Sequence, residues 1–400
     1  MHNNNNNKMS KLPPPNPYFR DQLLTYLGNK RKLIDHFIHL FQQQPSGFTF
    51  LDGFCGSGII SRVAKSYAGK IYANDWEYYA YCINACYLSN PTSSDRSMIE
   101  SWIDQMNESV EKKSHEASSP SSFIYGNYTA HNDDNIHRHE RVFFTAENGR
   151  RIDRYRQYIE DRIPNPYKMY LLGPLLIECG KKNNTCGYFN SFYTYQGIGK
   201  LGGKNGNDLQ RICQPIHIPY PIFSSLQPEV VVTQQDINQY VRTISNPHQW
   251  VDIAYFDPPY NKHPYGTFYF LLNVIAEFKT DSPLPTNYRG QSNDWKRSPY
   301  NSVSKSSRAM EDLIQHTYAK QIWVSYHNHG ILSPSTMESI LRRYGRLEIQ
   351  TFPHKTYNRL TGQGDKFRQK KKEPVIEYLY ILHRHTSSTF REMQNTTYVH

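Results

Sequence analysis

The apolar run Val251-Asp252-Ile253-Ala254-Tyr255-Phe256 ends in Asp257-Pro258-Pro259-Tyr260. Proline fixes its own φ and restricts the residue before it, so this proline pair makes a stiff loop with a carbonyl held in place. The Asp257 carboxylate and the Pro258 carbonyl are two acceptors that can face one amino group. Tyr260, just beyond, can stack on a planar ring. The set suits a flipped nucleobase carrying an exocyclic NH2. The lone pair of such an amine is delocalised into the ring and is a poor nucleophile. Two acceptors on its hydrogens restore electron density on nitrogen as it turns tetrahedral. A plain Asp-Pro turn at a strand end accounts for the same four residues without chemistry, so the rest of the chain must separate the two readings.

A second constellation is FLDGFCGSG, residues 50–58, in which an apolar strand runs through Asp52 into Gly53, Gly56 and Gly58. Glycines let the chain turn tightly and let a ligand approach the backbone at a helix start. The spacing is neither that of the dinucleotide fingerprint nor that of a phosphate loop ending in Gly-Lys-Ser/Thr. Asp75 stands at the end of the next strand, where a carboxylate can accept two hydrogen bonds from a ribose diol or cap the following helix. Asp236 gives a third polar strand end. Open α/β sheets bind ligands at those carboxyl ends.

These sites need elements to hold them. Leu33, Ile34, Phe37, Ile38 and Phe41 fall at helical spacing. Strand 48–52, helix 57–67, strand 70–74 and helix 76–88 form a βαβα run, the start of a parallel sheet. The pattern resumes with strands 229–237 and 251–257, helix 268–278, a helix near 308–319, strand 321–327 and helix 335–344. Strands 346–352 and 375–382, joined by a basic loop, predict a terminal hairpin. Between the two halves, residues 91–225 change character, with helices expected near 97–113 and 166–180 and a Gly/Asn/Tyr-rich loop over 183–212. The expected organisation is a disordered polar tail over 1–17, a catalytic domain over 18–90 and 226–400, and an inserted domain over 91–225.

The chain has 400 residues, 46 Lys and Arg against 35 Asp and Glu, and a formal net charge of +11. A basic balance favours an anionic partner. No segment reaches the roughly 18 apolar residues of a membrane helix. Six cysteines, at 55, 82, 86, 179, 186 and 213, lack zinc-site spacing. They read as reduced core residues of a cytoplasmic protein, and no metal site is expected.

The motifs YLGNKRKL (26–33), FLDGFCGSG (50–58), ANDWE (73–77), QQDI (234–237), FDPPY (256–260) and WVSY (323–326), in that order, resemble the Dam-like, alpha-group DNA adenine methyltransferases. GYFNS (187–191) and HPYGTFYFLLN (263–273) are also similar to segments of that family. The resemblance covers roughly 20–90 and 229–385. It implies a Rossmann-like α/β fold: a seven-stranded methyltransferase sheet with a terminal antiparallel hairpin and an inserted target-recognition domain. It implies S-adenosyl-L-methionine as cofactor, with Tyr26 and Lys30 at its methionine part and Asp52 and Gly56 lining it. Asp75 would hold the ribose, Asp236 and Ile237 would border the adenine, and Phe54, Trp76 and Asp257 complete the cofactor set. The implied catalytic residues are Asp257, Pro258, Pro259 and Tyr260.

The expected reaction is methyl transfer to N6 of an adenine flipped out of double-stranded DNA, by the modification enzyme of a restriction-modification system or a solitary DNA-marking enzyme. Cytosine N4, an RNA adenine, or nucleic-acid binding without catalysis are the competing readings. The basic loop residues Lys366, Arg368, Lys370 and Lys371 are expected to touch phosphate. The large 281–306 loop, basic through Lys296, Arg297 and Lys305 with Arg308 just beyond it, is either a DNA-binding element or a solvated surface. The resemblance further implies a monomer or weak dimer in a prokaryotic or phage-like context, with any cognate restriction endonuclease on a separate chain.

Overall fold

The computed structural model of the protein describes residues 16–112, 122–293, 295, 297–354 and 375–385. Asn16 caps a short helix, α1 (Pro17–Arg20), and a 3-10 turn leads into α2 (Ile34–Gln42). Then come β1 (Thr49–Asp52), α3 (Ile59–Ala64), β2 (Lys70–Asp75) and α4 (Tyr78–Tyr87). The helices α5 (Ser93–Lys112), α6 (Phe123–Tyr128), α7 (Ala146–Arg162) and α8 (Lys168–Lys181) follow. A small hairpin of β3 (Thr194–Tyr195) and β4 (Ile198–Gly199) precedes α9 (Leu209–Ile212). The second half runs β5 (Glu229–Gln234), α10 (Ile237–Ile244), β6 (Val251–Phe256), α11 (Tyr265–Phe268) and α12 (Phe270–Glu277). It ends with α13 (Ser306–His316), β7 (Ala319–His327), α14 (Pro334–Arg342), β8 (Gly345–His354) and β9 (Val375–Arg384).

Seven strands form one sheet in the order β5-β2-β1-β6-β7-β9-β8. The first five are parallel, and β9 runs antiparallel to both β7 and β8. This is the Rossmann-like sheet with its terminal hairpin. The strands alternate strictly between two cores, as a period of two requires. Phe50, Ile253, Tyr255, Trp323, Leu379 and Ile381 face α2 and α3. Leu51, Ala254, Phe256, Ile322, Val324, Tyr380 and Leu382 face α10, α13 and α14. From β1 the chain moves outward to β2 and β5, then returns to β6 on the other side. The crevice between β1 and β6 is therefore the switch point at which such sheets bind ligands.

The stretch 91–225 is mostly helical and shares its core with the sheet domain. Ile99, Ile103, Tyr155, Leu172 and Leu175 pack in one cluster with Tyr79, Cys82 and Cys86 of α4 and Leu271 and Ile275 of α12. Two local expectations shift. Helix 57–67 begins only at Ile59, because Gly58 at φ 76° caps it in a left-handed conformation. Cys186 and Cys213 are exposed, whereas the other four cysteines are buried as expected, and all six are free. Residues 1–15 of the polar tail and the basic loop with Lys366, Arg368, Lys370 and Lys371 lie outside the described residues, as does Lys296. Among the described residues no helix is long and apolar enough to cross a membrane, and no cluster of three or more His, Cys, Asp or Glu is placed to hold a metal.

Candidate active site

Three strand ends meet at the switch point. Asp52 ends β1, Asp75 ends β2, and Asp257 follows β6. They wall a cleft of about 800 Å3, open mouth included, with Tyr26, Lys30, Phe54, Gly56, Trp76 and Pro259. Gly28, Asn29, Glu77, Tyr255, Pro264, Tyr265, Ser298 and Asn301 complete most of the wall.

The Gly-rich turn after β1 is braced from β2. The Asp75 carboxylate accepts from Gly56 N at 2.7 Å and from Glu77 N at 2.9 Å. Asp75 thus shapes both turns, while Glu77 at the cap position of α4 makes no capping bond and instead accepts from Asn273 Nδ2 at 2.6 Å. Gly56 adopts φ +49°, and a Cβ there would meet the Tyr26 ring at 2.9 Å. Tyr26 itself is stacked at 5.1 Å on Tyr265 and 5.0 Å on Tyr269, so the segment before α2 is held against α11 and α12.

Asp52 is almost fully buried and accepts from Ser61 Oγ at 2.6 Å. Its other oxygen, Oδ1, is buried with no partner. Burial pushes its carboxyl up to about 7, against the Ser61 bond and aided by the nearby Asp257 and Asp75 charges. Burial also pushes Asp75 up to about 6, against the backbone N–H groups of Glu77, Gly56 and Trp76. A cleft lined by carboxylates that ionise with difficulty favours a cation that restores their charge.

Lys30, 4% exposed, is the site's buried ammonium. Its Nζ lies 2.9 Å from Asp257, donates to Gly28 O at 3.2 Å, and stands 3.0 Å from Glu377 Oε1 as an ion pair without hydrogen-bond alignment. Burial opposes its charge, but Asp257 and Glu377 outweigh burial and hold its pKa well above the ordinary lysine value. Asp257 is pushed up to about 6 by burial, with Lys30 pulling down and Glu377 pushing up.

Glu377 escapes a reading restricted to the C-terminal ends of parallel strands. Because β9 is antiparallel, its first residues lie beside the end of β7, where Glu377 pairs with His327. Its alternation with Leu379 and Ile381 was the available signal, since an acid at an inward position of an apolar strand calls for a buried partner.

The other expected residues take different places. The Tyr260 ring packs edge-on against His327 at 4.2 Å, and its hydroxyl reaches Gly28, where a Cβ would sit 2.0 Å away. Tyr260 and Pro258 are not among the residues walling the cleft. Asp236 caps α10 by accepting from Gln239 N at 3.1 Å, and Ile237 packs in the core behind Gly53. Asp236 and Ile237 thus back the cleft wall and do not form it. Ser298 and Asn301 bring part of the 281–306 loop to the cleft.

A family model for D12 class N6 adenine-specific DNA methyltransferases matches residues 26–200. That stretch runs from Tyr26 and Lys30 through both acidic strand ends and into the insert. The chain is 29% identical over 372 residues to type II methyltransferase M.NlaIII of Neisseria lactamica, covering 90% of this chain and 99% of that protein. It is 26% identical over 365 residues to type II methyltransferase M.CviAII of Paramecium bursaria Chlorella virus 1, covering 90% and 98%. Identity to modification methylase LlaI of Lactococcus lactis is 26% over 363 residues, spanning 86% of this chain and 54% of that protein. Lysine, paired acids and the Asp-Pro-Pro-Tyr loop at one switch point agree with these likenesses, which together support an adenine-specific DNA methyltransferase.

Proposed function

We propose that the chain transfers a methyl group from S-adenosylmethionine to N6 of an adenine flipped from duplex DNA at one short sequence, as the modification enzyme of a restriction-modification system. The observation that carries the reading is the convergence of Asp257 and Lys30 with Asp52 and Asp75 on one cleft at the switch point. The unpartnered buried Oδ1 of Asp52 and the carboxylates of Asp75 and Glu77 suit a donor that is cationic and carries hydroxyl groups. When bound, that donor supplies an electrophilic methyl on a sulfonium.

The chain's residues then bind and orient. Asp75 holds ribose hydroxyls through lone pairs its two backbone contacts leave over, and Tyr26 and Gly56 fit the donor's methionine part. Asp257 accepts a hydrogen of the target amine, helped by the Pro258 carbonyl, and so raises electron density on nitrogen as it attacks. Tyr260 leaves its edge contact with His327 to stack on the base. Lys30 keeps Asp257 ionised and oriented. Residues 91–225 carry target recognition, and the enzyme works as a monomer or weak dimer, with any cognate endonuclease on a separate chain.

The test is modification sequencing of DNA from a methylation-free host expressing the chain or Asp257→Ala. N6-methyladenine in one short motif, lost by at least on the order of 100-fold in the variant, is the expected result. N4-methylcytosine would replace the base assignment. Absence of marks with the wild-type chain would overturn the reading.

A further inference from the structure

We propose that a rim of four cations beside the cleft, Lys262, Arg289, Arg297 and Lys305, holds the phosphodiesters flanking the target nucleotide. The proposal rests on the DNA-methylation reading and names the surface that presents the strand to the site.

Two concavities adjoin the cleft and share Pro264 with its wall. One lies between Lys262, Arg297 and Lys305, and the other between Lys262, Arg289 and Arg297. Among the described residues neither has an acidic residue in its lining. All four cations are exposed, and none has an ion-pair partner among the described residues. Other exposed cations are paired, as Arg242 is with Asp312 and Arg343 with Glu311. Uncompensated like charge gathered in one place repels itself, so an unpaired cluster beside a nucleic-acid cleft is best relieved by an anion.

The rim is also fixed to the chemistry. Asn301 Nδ2 donates to the carbonyl of Asn261 at 2.7 Å, in the loop that follows Asp257-Pro258-Pro259-Tyr260. Asn301 and Ser298 line both the cleft and the first concavity. A phosphate held there lies next to the mouth through which a flipped base must enter, and the Ser302 side of the concavity adds a hydroxyl donor. Such contacts set affinity and register and carry no sequence information.

The experiment measures the salt dependence of binding to a duplex carrying the motif mapped by sequencing. The chains compared are wild type, Lys262→Gln/Arg297→Gln, Arg297→Lys, and Lys366→Gln/Lys370→Gln. Each lost phosphate contact reduces the slope of log affinity against log salt by about 0.9, so the first double variant should lose about 1.8. Arg297→Lys keeps the charge and should keep the slope, and S-adenosylmethionine binding, followed by calorimetry, should match wild type and report a folded cleft. An unchanged slope in Lys262→Gln/Arg297→Gln overturns the proposal. So does a slope lost only in Lys366→Gln/Lys370→Gln, which would place the phosphates on the 366–372 loop. A wild-type chain that neither binds nor methylates the duplex refutes the DNA reading itself and takes the rim with it.

Discussion

Replacing Glu377 by Gln tests whether the buried cluster around Lys30 tunes Asp257, the carboxylate proposed to meet the target amine. Lys30 Nζ stands 2.9 Å from Asp257 and 3.0 Å from Glu377. Two carboxylates sharing one ammonium at those distances are at most about 6 Å apart, and with an effective dielectric of about 20 they repel by about 3 kcal/mol. At about 1.4 kcal/mol per pH unit, that is about two units on the ionisation of Asp257. Burial is the largest cause of the rise of Asp257 to about 6; Lys30 opposes it and Glu377 adds to it. Glutamine removes the repulsion and leaves the whole Lys30 charge to Asp257, so Asp257 ionises at lower pH. Ionised, Asp257 accepts with two charged oxygens; protonated, it keeps only a weaker neutral carbonyl acceptor. The acidic limb of kcat/KM for methyl incorporation into duplex DNA should therefore move down by about one to two pH units in E377Q. The assay is initial-rate methyl transfer across the acidic range, with donor binding measured in parallel at each pH. A limb that stays in place, or moves to higher pH, would remove Glu377 from the tuning of Asp257.

Two further substitutions probe the frame. Gly28→Ala places a Cβ 2.0 Å from the Tyr260 hydroxyl at a position with φ +73°. The misplacement of Tyr260 should cost on the order of 100-fold in kcat, with S-adenosylmethionine binding retained; a kcat within about threefold of wild type would show that the loop relaxes without loss of alignment. Asp153→Ala in α7 strips the acceptor from the N–H groups of Ile124 and Tyr125 at the start of α6, bonded at 2.7 and 2.9 Å. Urea unfolding should show a loss of about 2–4 kcal/mol, and a loss below about 0.5 kcal/mol would mean that water satisfies both groups.

How much of this could be read in advance depends on the range of the interaction. Strands such as Val251–Phe256 and Ala319–His327 were legible because a buried strand needs a short apolar run bounded by a turn, whatever it packs against. That Asp52, Asp75 and Asp257 would meet around one cleft was legible because the parallel order of a βα repeat already sends their ends to one edge. The Asp-Pro-Pro-Tyr loop announced itself because proline stiffness is a property of the residues themselves.

The tertiary structure decided what depends on direction and distance across the fold. Asp236 follows a strand too, yet that strand is β5 at the outer edge of the parallel run, and Asp236 spends its side chain on the cap of α10. Glu377 belongs to a strand that enters the edge where the others leave it, so only the antiparallel pairing of β9 with β7 delivers its carboxylate to Lys30. Residues 91–225 were read from composition as an inserted domain, and which elements complete their apolar face, α4 and α12, only the packing shows. Local sequence determined which segments fold and which groups are reactive. Long-range packing determined which carboxylate faces the ammonium, because a contact between residues more than three hundred positions apart has no local signature in either stretch.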